Sequence, residues 1–177
     1  MNFQIGQTFI GVYPPEAAAW CSNHNASIQE VPTGYRIIAI PGPTPEEIRT
    51  KKLEELSQKH HEAEEIGVIQ SSLGFPIDAN ERANRDVSGL ISQMEMTNLD
   101  KTQFCDANND FQEVTLDNLK TIKLELIQYA QSLYATKWQL RAAIEAAKTV
   151  DELNAIDIKF VTDFIPAPIT LADNASH

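Results

Sequence analysis

The uneven placement of proline limits what this chain can fold into more than any other feature of its sequence. Of nine prolines in 177 residues, six lie within the first 45 residues, and after Pro76 none occurs until Pro166. Proline removes a backbone donor and breaks helix interiors, so long helices are disfavoured in the first quarter and permitted afterwards. The pattern predicts a change of architecture near Pro45.

Residues 1–43 predict a small unit that contains a strand, a helix and a hairpin. Polar and apolar residues alternate from about residue 3 to residue 13, as in a half-buried strand. Pro14 and Pro15 then begin a short helix, since proline is favoured in a first turn. Two further strands flank the turn at 32–34, and the stretch PGPTP predicts a stiff, extended connector.

Residues 44–66 predict a linker helix with a short apolar seam. Thr44 is a good N-cap, and Pro45 occupies the first helical position. Along the helix, four residues recur at alternating spacings of three and four, namely Leu53, Leu56, His60 and Ala63. This spacing is typical of a coiled coil, so the four residues are candidates for binding a partner, including a homo-oligomer such as a trimer. The alternative is a helix that packs on its own domain.

Residues 67–161 predict a mainly helical domain with one short β-hairpin. A strand-like region precedes Asn80, which caps a helix reaching about Met96. Thr115 caps the longest helix, which we expect to reach about Lys148, and the stretch TVDE is a capping box for a final short helix. Residues 162–177 predict an extended tail. The expected fold class is α+β.

The stretch DANNDFQEVTLD invites comparison with a calcium-binding loop. Its oxygen-bearing side chains at the first, third, fifth and twelfth positions are Asp106, Asn108, Asp110 and Asp117. However, Phe111 stands where a calcium loop requires glycine, and the segment before the loop is strand-like. The favoured interpretation is a hairpin turn at 108–109, followed by a helix whose first turn contains an acidic residue.

The composition argues against several classes of partner. A net charge of −11 disfavours nucleic acids and anionic lipid surfaces, because both are bound through clustered Lys and Arg. The first residues lack a positive start and a continuous apolar stretch, so we expect no signal peptide, and the sequence contains no apolar run long enough to span a bilayer. Cys21 and Cys105 lack metal-type spacing and fit two reduced thiols, although a disulfide between them stays open. We expect no cofactor and no metal.

Two clusters resemble catalytic or metal-binding groups, and neither has a supporting pattern. Cys21 and His24 are three residues apart on one predicted helix, which is poor geometry for a nucleophile and its base, and no third orienting group is evident. The sequence HHEAEE at 60–65 lacks the spacing of a zinc-binding HExxH motif. We therefore expect no enzymatic activity.

Three stretches in the second half carry a resemblance to a known family. They are GFPIDANERANRDVSGLI, FCDANNDFQEVTLDNLKTI and YAQSLYATKWQLRAAIEAAKTVDELNAIDI, and they lie within residues 74–160. Their order resembles a family of unknown function, the domain-of-unknown-function family 4376, which recurs in genes of the tail region of tailed phages and prophages. The resemblance supplies no catalytic residues.

The resemblance implies a non-enzymatic tail protein, associated with a tail fibre or baseplate, that acts through protein–protein contacts. Its expected partners are tail or tail-fibre proteins. Its expected location is the virion tail, after synthesis in the cytoplasm of the bacterial host. The alternative is a tail-fibre assembly chaperone that is absent from the mature virion.

Overall fold

A computed structural model describes residues 2–168 and confirms the α+β class. The chain divides into two compact units, Met1–Thr44 and Pro45–His177. Within the described residues there are five helices and three small sheets. None of the helices in this part of the chain combines the length and the apolar character needed to cross a bilayer.

The first unit is a three-stranded antiparallel sheet with one helix. Its elements are β1 (Thr8–Ile10), α1 (Pro15–Asn23), β2 (Ala26–Val31) and β3 (Gly34–Ala39), and β3 lies between β1 and β2. In the register of β2 and β3, Ile28 lies opposite Ile37. Ile37 is fully buried, and the helix contributes Ala17 and Cys21 to the same core.

The first strand is shorter than the alternation from residue 3 to residue 13 predicts. Gly6 and Gly11 have φ values of +90° and +80°, and they lie on either side of β1. Strand backbone requires negative φ, so the chain turns at both glycines and only three residues remain in the ladder. Alternation alone cannot report these two turns.

The second unit contains four helices and two small sheets. In chain order its elements are α2 (Pro45–Ile66), β4 (Val68–Gln70), β5 (Pro76–Asp78), α3 (Glu81–Thr97), β6 (Lys101–Cys105), β7 (Phe111–Thr115), α4 (Leu116–Ala146), α5 (Val150–Ala155) and β8 (Asp163–Phe164). Strand β4 pairs antiparallel with β5 and parallel with β8, while β6 and β7 form the expected hairpin.

Helix starts in the second unit follow the capping signals of the sequence. Asn80 accepts a hydrogen bond from the backbone N–H of Ala83 at 2.9 Å. The caps of α4 and α5 are both capping boxes, in which Thr115 pairs with Asn118 and Thr149 pairs with Glu152. Each cap satisfies backbone donors that have no partner inside the helix, which is why these boundaries could be predicted.

Helix α2 differs from the predicted linker, because it is part of the second unit and packs against α4 and α5. Three of its cations donate to backbone carbonyl oxygens near the end of the fold. Arg49 Nη2 lies 2.8 Å from the carbonyl of Ala147, and Lys52 and Lys59 each place Nζ 2.9 Å from the carbonyls of residues 156 and 158. These contacts join segments about 100 residues apart in sequence.

The predicted C-terminal tail is partly built into the fold. Strand β8 extends the sheet beside β4, and the N–H of Val68 donates to the carbonyl of Thr162 at 2.7 Å. The Phe164 ring lies 5.6 Å from the Tyr129 ring, so this segment also covers part of the core. Residues 162–164 are therefore docked, and the N–H of Ala167 donates to the Gln128 side chain at 3.0 Å. The prediction for residues 169–177 lies outside the described residues.

Candidate functional site

A groove bounded by three helices lies in the second unit. It has a volume of about 360 Å³, and we call it the α2–α3–α4 groove. Its floor comes from α4 and includes Leu126, Ala130 and Leu133. Its rim carries Glu64 and Glu65 from α2 and, from the first turn of α3, Glu81. An apolar floor with an acidic rim can bind a segment that is both apolar and basic.

Tyr129 fixes the distance between α2 and α4 beneath this groove. Its hydroxyl donates to the carbonyl of Ala63 at 2.7 Å, close to the end of α2. The phenol side chain also fills the space in front of Gly67, where a Cβ would overlap the hydroxyl. Burial raises the pKa of Tyr129, with a further contribution from the charge of Glu64, so the phenol stays a protonated donor.

His60 is buried beside the groove, and its environment disfavours the charged imidazolium. Its Nδ1 lies 3.3 Å from a carboxylate oxygen of Glu64 and 3.4 Å from Nζ of Lys137, while Nε2 has no hydrogen-bond partner among residues 2–168. The rings of Tyr134 and Phe160 pack against the imidazole at 5.2 and 5.5 Å. Burial lowers the pKa of His60; Glu64 opposes that shift, and Lys137 adds to it.

The four predicted partner-binding residues of α2 are used inside the unit. Leu56, His60 and Ala63 are each no more than 3% exposed, and Leu53 packs against the cluster that contains Leu56. Helices α4 and α5 cover this seam, so it does not offer a surface for trimerisation. The structure matches the alternative in which the helix packs on its own domain.

The stretch compared with a calcium loop forms a tight turn organised by one carboxylate. Asp106 Oδ1 accepts from the backbone N–H groups of Asn108 and Asp110, both at 2.9 Å, and Oδ2 accepts from the side chain of Gln112 at 2.8 Å. Asn109 has φ +65°. Burial alone would raise the pKa of Asp106, but these hydrogen bonds outweigh it and lower the pKa.

Both carboxylate oxygens of Asp106 thus accept hydrogen bonds from the turn and the strand that follows it. Asp117 lies in the first turn of α4. Asparagine tolerates positive φ, which makes 109 a suitable turn position. No group of three or more His, Cys, Asp or Glu side chains with metal-binding geometry occurs in the described part of the chain. The geometry fits the hairpin turn of the favoured interpretation.

The same turn lies beside the start of α3 and forms a second, polar cleft of about 280 Å³. The N–H of Ala107 donates to the carbonyl of Pro76 at 3.0 Å and so ties the turn to β5. The cleft is lined by charged side chains that include Asp78, Arg82 and Asp86. It joins two of the sequence stretches that carry the family resemblance, although they are separated along the chain.

The remaining sequence candidates lie in different places. Cys21 is buried in the core of the first unit, whereas the imidazole of His24 stacks on Trp20 at 4.2 Å and its Nδ1 lies 2.8 Å from the Trp20 carbonyl. The backbone N–H of His24 donates to the carbonyl of Cys21 at 3.1 Å, but among residues 2–168 no hydrogen bond joins the Cys21 thiol to the His24 imidazole. His61 lies on the groove rim, apart from the buried ring of His60.

Sequence reasoning missed a buried carboxylate on α4. Glu125 is fully buried, and its Oε1 accepts from the backbone N–H and the hydroxyl of Ser72 at 2.9 and 2.7 Å. Its Oε2 has no partner in the described residues. The spacing could have revealed it, since position 125 follows Ile122 by three and precedes Tyr129 by four, which places it on the apolar face.

A second apolar stripe of α4 faces solvent and was also missed. We call it the α4 seam, and it consists of Leu124, Ile127, Gln131, Tyr134 and Trp138. The Trp138 and Tyr134 side chains are 61% and 51% exposed. The sequence shows these residues at spacings of three and four, but the longest helix carries so many apolar positions that the buried set conceals the exposed one.

Comparison with known proteins gives a family and nothing finer. Residues 47–160 match the family described as "Domain of unknown function (DUF4376)". No curated protein and no solved structure shows significant similarity to the chain. The matched residues run from the first turn of α2 to just beyond α5. They cover most of the second unit, including the groove and the α4 seam. The chain therefore belongs to the DUF4376 family.

Proposed function

We propose that this chain is a non-enzymatic component of a phage or prophage tail, associated with a tail fibre or baseplate, that acts by binding other proteins of the tail. The phage setting rests on the family resemblance of the sequence. It would place the protein in the virion tail after synthesis in the bacterial cytoplasm.

The observation that carries the binding role is the exposure of large apolar side chains at structured positions. In the first unit, Ile10 and Val12 are 91% and 83% exposed, at the end of strand β1 and just beyond it. Strand β1 lies at the edge of its sheet, so an added strand could pair with its outer side, although the carbonyl of Ile10 already accepts from the N–H of Val12 at 3.1 Å. Ordered apolar groups of this kind mark contact surfaces more often than catalytic sites.

The first unit suggests the mode of docking. A partner strand could pair with β1 through its backbone and cover Ile10 and Val12 with its own apolar side chains. In the second unit, the α4 seam and the α2–α3–α4 groove offer further surface for protein contacts. Together these features support an adaptor that uses both units.

Mass spectrometry of purified particles tests the proposal directly. A lysogen or infected host that encodes this chain should yield particles in which its peptides persist through density-gradient purification. Peptides found in the producing cells but absent from particles would instead support the tail-fibre assembly chaperone. Absence of any association with tail proteins at either stage would overturn the proposal.

The docking role of the first unit has a separate test in the same particles. Deletion of residues 1–43 should abolish incorporation, and the double substitution Ile10→Asp with Val12→Asp should reduce it strongly. Gln29→Asp on β2 is the charge control, because it adds one of the two negative charges at an exposed strand position without removing apolar surface. Unchanged incorporation of the deletion variant would contradict the docking role.

A further inference from the structure

The α4 seam has the spacing of a coiled coil over most of the helix. From Lys120 to Glu145, solvent-facing or half-buried positions recur at alternating intervals of four and three. These positions are the five residues of the α4 seam together with three charged residues that extend it, namely Lys120 before Leu124, and Arg141 and Glu145 after Trp138. They are distinct from the core face of α4, which is represented by Leu126 and Leu133. The helix therefore carries a second seam that the core of the unit leaves largely exposed, although Tyr134 packs against His60 and Lys120 is half-buried.

The seam becomes self-complementary when a second copy runs in the opposite direction. A coiled-coil seam alternates between two core positions of the heptad, called a and d. In an antiparallel pair, an a residue of one helix lies opposite a d residue of the other. Residue numbers rise along one helix while they fall along its partner, so the two numbers in every layer add up to the same value. With a sum of 265, the layers are Lys120 with Glu145, Leu124 with Arg141, Ile127 with Trp138, and Gln131 with Tyr134. Every layer occurs twice because of the two-fold symmetry.

Charge selects this orientation. Within each chain, Lys120 Nζ lies 3.3 Å from a carboxylate oxygen of Glu95. In the antiparallel arrangement, Lys120 of each copy also meets Glu145 of the other, so opposite charges meet at both ends of the interface. A parallel arrangement would set Lys120 against Lys120 and Glu145 against Glu145. The whole chain has a net charge of −11, which opposes self-association in general. Local complementarity at the seam is therefore needed for two copies to pair, and only the antiparallel register supplies it.

The central layers combine apolar area with polar groups that can satisfy one another. Ile127 and Trp138 bury each other, and the Gln131 amide can hydrogen-bond the Tyr134 hydroxyl. Arg141 is already held in the single chain, with its guanidinium 5.7 Å from the Trp138 ring and its Nε 2.8 Å from a carboxylate oxygen of Glu145. Its aliphatic stem is thus ordered in advance for packing against Leu124.

We propose that the α4 seam binds a second copy of this chain, with the two α4 helices antiparallel about a two-fold axis between residues 132 and 133. The occupant of this surface is thus a homodimer partner. The proposal goes beyond the proposed tail function and does not depend on it, since the dimer would form in any setting that supplies enough protein.

The first experiment measures mass against concentration. Sedimentation equilibrium of the full chain should show a reversible monomer–dimer transition, and Trp138→Glu should weaken dimerisation by at least about a hundredfold because it buries two unpaired carboxylates per dimer. Met96→Glu is a matched control at an apolar position that is 83% exposed outside the seam, and it should leave dimerisation unchanged. A wild-type monomer up to millimolar concentration, or equal loss in both variants, would overturn the proposal.

The second experiment tests the register by exchanging charges. Lys120→Glu alone and Glu145→Lys alone should each weaken dimerisation about tenfold, because each creates two like-charge layers. The double variant restores opposite charges in both layers and should bind more tightly than either single variant, although it sets like charges against Glu95 and Arg141 within each chain. Failure of the double variant to recover, while its circular dichroism and melting temperature show a folded chain, would exclude this register.

A zero-length cross-link gives an independent measurement. Lys120 and Glu145 are separated by 25 residues on one helix, which places them about 37 Å apart within a single chain. A carbodiimide-induced amide between these two side chains can therefore form only between two copies. Mass spectrometry of the dimer band should recover the linked peptides, and a dimer band lacking this link while containing other intermolecular links would contradict the antiparallel seam.

Discussion

Helices α2 and α4 both carry residues at the spacing of a coiled coil, yet one seam is covered and the other is open. On α2, Leu56 and Ala63 are almost completely buried by the rest of the unit. On α4, Trp138 and Tyr134 are more than half exposed. The two helices belong to the same unit. Comparing them therefore shows what determines whether an apolar seam is buried in the fold or left exposed.

The difference is the number of apolar stripes that each helix carries. Outside its seam, α2 is densely charged, so its single stripe must supply the apolar contacts that hold the helix to the unit. Helix α4 already buries one stripe, which includes Leu119, Leu126 and Leu133. Its second stripe is surplus to the core. An apolar seam that the core of the unit does not bury therefore indicates a binding partner better than coiled-coil spacing alone does.

The comparison predicts the largest effect at the centre of the covered seam. Leu56→Ala should lower the free energy of unfolding by about 3 kcal/mol, because it removes buried methyl groups and leaves a cavity between α2 and α5. Urea denaturation at a protein concentration low enough to limit dimerisation would measure it. Trp138→Ala is the matched variant on the open seam, and it should change stability by less than about 0.5 kcal/mol.

Equal losses in the two variants would break the comparison. They would mean that the α4 seam contributes to the stability of the isolated unit as α2 does. A loss in Leu56→Ala alone would agree with a core function for α2 and would leave the α4 seam free for binding.

A second prediction concerns the end of α2, where the chain turns beneath Tyr129. Gly67→Ala should destabilise the protein by about 2 kcal/mol, because the added methyl group overlaps a phenol ring whose hydroxyl is bound to Ala63. Gly89→Ala on α3 is the matched control, since nothing lies within 4 Å of its added Cβ. That variant should gain about 0.5–1 kcal/mol from helix propensity. Thermal unfolding of both variants would measure the contrast, and a neutral Gly67→Ala would show that Tyr129 can move without cost.

Much of the second unit could be predicted because its signals are local. Asn80, Thr115 and Thr149 each begin a helix through contacts within four residues of themselves. The turn at Asn109 likewise needs only its own positive φ and the oxygens of Asp106. Interactions of this range depend only on residues that are close together in the sequence, so capping and turn rules predict them.

The groove and the seams could be predicted only in part, because long-range contacts decide them. Periodicity shows that Leu56 and Trp138 lie on apolar stripes, but it does not show which stripe is covered. Lys52 and Lys59 resemble ordinary exposed lysines in the sequence, yet they donate to carbonyls about 100 residues away. Glu125 lies on the core face of α4, and its partner is the distant Ser72. Such pairings depend on the assembled fold.

The smallest expected effect on the free energy of unfolding involves His60 in the covered seam of α2. This effect is small at neutral pH and grows on acidification. The pKa of His60 is lowered in the folded protein by burial, while the unfolded chain keeps a value near 6.5. The unfolded state thus binds the proton more readily, so stability is fully present above about pH 6.5 and is lost as pH falls toward the lower folded pKa. Urea titrations between pH 8 and pH 5 should show this decline.

Variants of His60 and of the groups that face it test whether the imidazole causes this loss of stability. Glu64 and Lys137 lie against its Nδ1, His61 is its neighbour on α2, and the rings of Tyr134 and Phe160 close the site. Glu64→Gln removes the attraction that raises the pKa of His60, so the acid-dependent loss should become larger. His60→Leu should flatten this part of the pH profile. An unchanged profile in His60→Leu would assign the acid sensitivity to other groups and would remove the imidazole as the titrating centre of the α2 seam.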